Sequence, residues 1–464
     1  MSLPLPPGPR GSLFTGIKAK LPKSEPWKTY AAWGSHYGGP MISFRVCNRL
    51  TIVLNTHTAV HDLLERRAGI YSGRPASWMF GVICGRAKAV FNISATDARH
   101  RIYRRLLQRG LGGQAVKDYW PVLEEEVDIL IRGLTDTPDE FEQQIRRNAT
   151  AVIMKVAFGY SITVAHDRFI SVAEQSSNIS GWAMAPGRWL VDYYPIFRFV
   201  PSWFPLAHFK RQGAEWRTIL NSISEVPHAW VKSQMASGLY TSSFTSRLME
   251  PGITEEEEDI VKWCAGALYA GAADTTVSAT LSFLMLMALH PVVQERAQAE
   301  IDSVLGGAPR VADVSRLPYL LAVMKEVMRY APVANMALPH QATHDDTYAG
   351  YRIPKGCTVV PNVWAILHDP ELYPQPFLFD PDRFAKGSTQ PDPGAYIWGF
   401  GRRICPGIQF AEPALLLSMA SILYHFTIIP ASRDTAAVEF TTGITSHIKP
   451  FGIHFAPRRD SREV

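Results

Sequence analysis

The sequence predicts a mainly α-helical fold with small β-sheets. Three observations carry this: a very long apolar segment opened by a capping box, two shorter segments bounded by helix start and stop residues, and one short stretch of hairpin character. The long segment begins at Thr254, where Thr254 and Glu257 make a T-x-x-E capping box. Glu255, Glu256, Glu258 and Asp259 add negative charge to the positive end of the helix dipole. Apolar residues then continue to Leu289, ahead of His290-Pro291. At ~1.5 Å per residue this is roughly 50 Å of helix, enough to cross the whole molecule. A helix that long and apolar must run through the core. The next helix has Pro291 at its start and Gly306-Gly307 at its end, and a third runs from Pro318 to Tyr330, before Pro332. The stretch from Gly350 to Val360 reads as a hairpin with Pro354-Lys355-Gly356 at its turn. Pro413 to Pro430 is apolar enough to look like a membrane span, but Glu412 begins it and His425 interrupts it, so it reads as a buried core helix.

Composition sets the class. The 464 residues are 47% apolar, 11% aromatic and 19% charged, as in a globular protein with a large core. The net charge of +5 is spread along the chain, not gathered in the stripe a nucleic-acid binder needs, so no nucleic-acid partner is expected. Cys47, Cys84, Cys264, Cys357 and Cys405 are far apart and include no C-x-x-C pair. That argues against a disulfide framework or structural zinc site and for a reducing compartment. With no repeat and no low-complexity linker, one domain is expected over 12–464, after a proline-rich lead over 1–11. The lead has no apolar h-region and no membrane-length span, so neither signal peptide nor anchor is expected in this chain.

The strongest chemical signal is Trp398-Gly399-Phe400-Gly401-Arg402-Arg403-Ile404-Cys405-Pro406-Gly407, set before an apolar helix. The glycines permit a tight backbone around the thiol. Two arginines and a helix start supply positive potential, which favours thiolate. Such a thiolate suits a metal ligand or a nucleophile, although no histidine stands nearby in sequence to act as a base. A structural cysteine in a glycine-rich loop is the plainer alternative. The segment resembles the haem-binding loop of cytochromes P450, F-G-x-G-x-R-x-C-x-G, with Trp398 where phenylalanine is usual. The resemblance implies a cytochrome P450 fold with its long helix over a haem b. It implies that Cys405 is the axial thiolate to the iron, that Arg403 pairs with a haem propionate, and that the Trp398 ring lies beside the sulfur.

Further signatures follow in the family's order. Glu326 and Arg329 form the E-x-x-R pair, at i and i+3 on one helix face. Arg383, in Phe379-Asp380-Pro381-Asp382-Arg383-Phe384, resembles the arginine that completes a structural triad bracing the cysteine loop. Alone, the pair would read as a surface salt bridge. On the long helix, Ala270-Gly271-Ala272-Ala273-Asp274-Thr275-Thr276 resembles the oxygen-activation motif, with Ala272 where glycine is usual. Thr275 would help deliver protons to dioxygen, and Asp274 would link it to solvent. A hydroxyl bonded back to a helical carbonyl is the plainer reading of Thr275. His100 and Arg104 match W-x-x-x-R with histidine in place of tryptophan, and His340 stands where relatives place another propionate donor.

By the resemblance, the reaction inserts one oxygen atom of dioxygen into a hydrophobic organic substrate and reduces the other to water. The chain has no flavin or nicotinamide fingerprint, so a separate NADPH-cytochrome P450 reductase is implied. Arg101, Arg104, Arg105, Arg109 and Arg402 are its expected docking face, with solvated helix arginines as the alternative. The aromatic stretch from Trp189 to Phe209 is expected to form a lid that can dip into a membrane; core packing would use the same residues. The likeness is to fungal microsomal members, many of which tailor terpenoids, polyketides and other secondary metabolites. The expected location is the cytosolic side of the endoplasmic reticulum if an anchor has been lost, and otherwise the cytoplasm. Two other functions stay open. One is a haem-thiolate isomerase or dehydratase that does not use dioxygen, against which Asp274 and Thr275 speak. The other is a degenerate haem-binding paralogue, which Ala272 and His100 leave possible.

Overall fold

The computed structural model describes residues 3–164, 167–249, 252–432 and 438–459. The first two residues of the expected lead and the last five of the expected domain lie outside them. The described chain is mainly helical, with one four-stranded and two two-stranded sheets.

The long helix spans Glu255–Leu289. Its capping box is formed: Thr254 Oγ1 accepts the Glu257 N–H at 3.3 Å, and the Glu257 carboxylate accepts the Thr254 N–H at 3.0 Å. From Ile260 onward most of its residues are buried on every side, as befits a helix that is apolar all round. It packs against Phe141–Phe158, Arg168–Met184 and Ile408–His425, and so forms the axis of the core. Among the described residues it is the one helix long and apolar enough to cross a membrane, but its most apolar window is 67% buried within the protein. Pro291–Val304 and Pro318–Tyr330 follow, each with proline in the first turn, where its missing N–H leaves no helix bond unmade.

The expected hairpin at 350–360 is a misreading. Tyr351–Ile353 pairs backward with Asp346–Tyr348. Ala349 and Gly350 close that turn, both at positive φ (49° and 80°), as a two-residue hairpin needs. Beyond Pro354, the Gly356 N–H bonds to Ala342 O and the Cys357 N–H bonds back to Pro354 O, which turns the chain away. Thr358–Pro361 then runs parallel to Arg49–Leu54 and antiparallel to His340–Gln341. Its buried Val359 and Val360 gain more from that larger sheet than from a solvent-facing hairpin. The apolar stretch ending at Pro430 also divides: the helix Ile408–His425 stops, and Phe426–Pro430 is a strand paired with Ile453–Pro457. Thr427, Ile428 and Ile429 are β-branched, and Gln294 bonds both backbone groups of Ile428, which fixes the change of direction.

Candidate active site

Cys405 sits in the loop before the helix Ile408–His425. Its N–H donates to Trp398 O at 2.7 Å, and its Sγ accepts the Gly407 N–H at 3.4 Å. Gly399 and Gly401 both have positive φ, and a Cβ at Gly401 would lie 2.5 Å from Leu64 O, so the loop closes only with glycine there. Gly407 has an ordinary φ of −94° and serves as the helix N-cap, so the backbone freedom expected of it is not used. The source of positive potential also differs from expectation. Arg402 is exposed, and Arg403 turns away to Ser72 O (3.0 and 2.9 Å) and Ile93 O (2.5 Å). The cation that acts on the sulfur is Arg104, which donates to Ile404 O at 2.6 Å. Burial pushes the Cys405 thiol above its ordinary value, while the Gly407 N–H and Arg104 pull against that. The Trp398 indole bonds to the Glu412 carboxylate, itself pushed up by burial.

Beside this loop lies a cluster that the motifs named only in part. Arg74, absent from every motif, donates to Phe91 O at 3.0 Å, Leu338 O at 2.8 Å and Pro339 O at 2.6 Å. Burial first, then Arg403, lowers it to about 9. Burial and Arg104 lower Arg403 to about 10, and burial lowers Arg104. Two histidines complete the group. His100 is 6% exposed, not a surface residue, and burial together with Arg403, Arg104, Arg74 and Arg402 lowers it to about 4. His340 is 2% exposed and is lowered to about 3, first by burial and then by Arg74. Its Nδ1 bonds Tyr71 O at 2.8 Å, so the neutral ring offers Nε2 as an acceptor and becomes a second donor only on protonation. Among the described residues no carboxylate acts on any of the three arginines.

The Glu326 cluster is built the other way. Glu326 and Arg329 are fully buried and joined by two bonds, at 2.7 and 2.8 Å. Arg329 also donates to Leu367 O and Pro376 O, Arg383 lies 3.4 Å from Glu326, and the Asp380 N–H donates to the same carboxylate at 2.9 Å. This is a closed network between the helix Pro318–Tyr330 and the segment 367–383, not a surface pair. It reaches the cysteine loop indirectly: Tyr373 donates to Pro391 O and Lys325 pairs with Asp392, just before Trp398.

On the central helix, Thr275 Oγ1 donates to Gly271 O at 2.7 Å, a bond back along its own helix. Phe91 crowds Gly271, where a Cβ would come within 3.1 Å of its ring. Since Phe91 O holds Arg74 and Ile93 O holds Arg403, the segment 91–93 lies between the arginine cluster and the Gly271–Thr275 stretch. Asp274 turns elsewhere. Its Oδ2 accepts from Ser177 at 2.6 Å and its Oδ1 meets His447 Nε2 at 2.9 Å.

A family model described as "Cytochrome P450" matches residues 6–455. Cytochrome P450 monooxygenase 208 of Postia placenta is 37% identical over 99% of this chain and 92% of its own length. Cytochrome P450 monooxygenase claR of Ampulloclitocybe clavipes is 37% identical over 99% of the chain and 87% of its own. Cytochrome P450 monooxygenase ppsD of Aspergillus oryzae is 34% identical over 98% and 89%. The chain belongs to the cytochrome P450 family. It is an oxidoreductase of the monooxygenase class, and the cofactor of that family is a haem whose iron is held by a cysteine thiolate.

The residues of this cytochrome P450 fit such a group. Cys405 offers a soft ligand at a helix start, and a metal ion would override the burial that otherwise keeps it a thiol. The arginine cluster supplies cations with no carboxylate counter-ion among the described residues, which suits the two propionates of a haem. Arg74 was missed because a single arginine in Gly73-Arg74-Pro75 carries no motif; only its bonds to three carbonyls mark it. Arg104 leaves the expected docking face, because it is half-buried and bonded to Ile404 O, whereas Arg101, Arg105, Arg109 and Arg402 stay exposed. The aromatic stretch divides as well. Trp189, Tyr193 and Phe209 pack inward, while Ile196 (69%), Phe199 (66%), Trp203 (78%) and Leu206 (79%) are open. Leu13 and Phe14 are also open, and Tyr194 OH donates to Phe14 O, which brings the two exposed apolar groups together.

Proposed function

We propose that this cytochrome P450 inserts one oxygen atom into a hydrophobic organic substrate in secondary-metabolite biosynthesis, of the terpenoid or polyketide kind. Cys405 holds the haem iron, and Arg74, Arg104 and Arg403, with His100 and His340 beside them, hold the propionates. When bound, the haem supplies the redox centre at which dioxygen is reduced. The half-buried arginine cluster, with no carboxylate among the described residues, carries this assignment, since three partly desolvated cations otherwise repel one another without gain. Trp398 fixes the cysteine loop through its carbonyl and indole, and Glu326, Arg329 and Arg383 hold the segment behind it. Asp274 and Thr275 handle protons: the acid exchanges them with the surroundings, and the hydroxyl releases its bond to Gly271 O to pass one on. The apolar neighbours Phe91, Ala272 and Ala273 favour a substrate that brings little polar surface to that helix face.

Electrons come from an NADPH-cytochrome P450 reductase that docks on Arg101, Arg105, Arg109 and Arg402. The open face of Leu13, Phe14, Ile196, Phe199, Trp203 and Leu206 supports peripheral contact with a membrane, and hence a place on the cytosolic side of the endoplasmic reticulum. The test is a screen of the holoenzyme against terpenoid and polyketide scaffolds, read by the haem absorption shift, followed by turnover with reductase. Apolar scaffolds should shift the spectrum and gain one oxygen. In T275A the haem should stay bound while peroxide rises at the expense of product. Binding of polar metabolites only, or unchanged coupling in T275A, contradicts the proposal.

A further inference from the structure

Asp274 does not reach toward Thr275 in this structure, and the residue that holds it away belongs to none of the motifs. His447 lies in the C-terminal turn, 173 positions from Asp274 by number (447 − 274). Its Nε2 is 2.9 Å from Asp274 Oδ1. The turn is pinned on both sides of that contact. Ser446 O accepts from Ser278 of the central helix at 2.6 Å, the Ser446 N–H donates to Val333 O at 2.8 Å, and Asn335 donates to Ser446 Oγ at 2.8 Å. The His447 N–H donates to Thr441 Oγ1 at 3.0 Å. The histidine is therefore placed by the same bonds that lock the turn to the central helix.

The ring is asymmetric. His447 Nδ1 is buried with no hydrogen-bond partner among the described residues. Nε2 therefore carries the hydrogen that donates to Asp274. Burial would push the Asp274 carboxyl up. The bond and charge of His447, followed by the hydroxyls of Ser177 and Thr445, outweigh burial and leave it below the ordinary value. Glu439 and Lys449, the charged residues of the same turn, pair with each other at 2.5 Å.

We propose that His447 is the positioning residue of the proton supply: it keeps the Asp274 carboxylate ionised and turned toward the helix Arg168–Met184, so that Asp274 takes up a proton only as this bond yields. The inference rests on the proton-handling role given to Asp274 above. One proton moves, from solvent to a carboxylate oxygen, and no electrons move with it. Losing His447 leaves burial opposed only by the hydroxyls of Ser177 and Thr445, so the acid should titrate at higher pH.

The experiment uses the haem-loaded enzyme with reductase, NADPH and dioxygen, without an organic substrate. It reads the fraction of electrons released as hydrogen peroxide across pH. The His447→Leu variant should move that profile to higher pH by about one to three units, the range for loss of one close charged partner. His447→Gln keeps an N–H donor and should fall between. Infrared spectra should show a protonated-carboxyl band at neutral pH in H447L that the H447L/D274N double variant lacks. Should H447L fail to load haem, the H447Q profile decides: a shift supports the inference, and coincidence with wild type overturns it. Wild-type profiles together with no new carboxyl band overturn it for H447L as well. D274N separates the two readings. If D274N raises peroxide while the His447 variants change nothing, only the His447 inference falls. If D274N also changes nothing, the role of Asp274 falls with it.

Discussion

Two buried charge clusters differ in how their cations are satisfied. Around Glu326, the protein supplies both signs: a carboxylate at 0% exposure bonds Arg329 and lies 3.4 Å from Arg383, and backbone carbonyls accept from the ends of both guanidiniums. Around Arg403, it supplies one sign. Among the described residues, Arg74, Arg104 and Arg403 find carbonyls but no acid, and each is pulled below the ordinary arginine value by burial. The first cluster carries both signs within the protein and braces the fold. The second has no carboxylate among the described residues, and binding is the role proposed for it. Buried charge marks a binding site where its counter-charge is missing, not where it is present.

That contrast can be broken most forcefully at Glu326. Glu326→Gln leaves two buried guanidiniums without their counter-ion and should cost about 3–5 kcal/mol, read as a lower denaturant midpoint with an unchanged slope. A loss below ~1 kcal/mol, the worth of one ordinary hydrogen bond, would mean that carbonyls alone can satisfy buried arginines, and the contrast would dissolve. At Arg403 the effects should split. Arg403→Leu should weaken haem binding about 10- to 100-fold, as loss of an outer partner of a cofactor site does. The apoprotein should not become less stable, because a repelled charge has gone. Equal damage to both would class Arg403 with the Glu326 network.

A smaller effect sharpens the comparison through pH. His100 and His340 are depressed to about 4 and about 3 in the folded protein. Between these values and the ordinary 6.5, the unfolded chain binds more protons than the folded one, so stability falls as pH drops. The slope is at most ~1.4 kcal/mol per pH unit per histidine. Anionic propionates beside the two rings should raise both and flatten the slope. The apoprotein should therefore lose melting temperature faster than the holoprotein from pH 7 to pH 5; parallel curves would place the propionates elsewhere. The smallest effect belongs to the surface. Reversing Arg101, Arg105 and Arg109 to glutamate should slow reductase association several-fold at low salt and little at high salt. The same loss on replacing the half-buried Arg104 would instead reflect damage to the cysteine loop.

How much of this was legible follows the same physics. The central helix was readable because its signals are local: Thr254 and Glu257 make their capping box within four residues, and the apolar run needs no partner to be recognised. Cys405, Glu326 and Asp274 were readable because each sits in a short motif. The strand Thr358–Pro361 was misread because its partner Arg49–Leu54 is some three hundred residues away, and local pattern favoured the nearest segment. Arg74 and His447 were invisible for a related reason. Nothing beside either in sequence shows that distant segments close over it, and the roles proposed for them rest on contacts made through space with Phe91, Pro339 and Asp274.

The central claim is that Cys405 binds haem iron as a thiolate while the carboxylate-free arginine cluster takes the propionates. The most direct measurement is the reduced, carbon-monoxide difference spectrum of the purified holoprotein and of Cys405→Ser. Thiolate ligation by Cys405 should give the strongly red-shifted Soret band in the wild type and its loss in the variant. A band at the shorter wavelength of neutral-ligand haem in the wild type, or a red-shifted band that survives in Cys405→Ser, would contradict it.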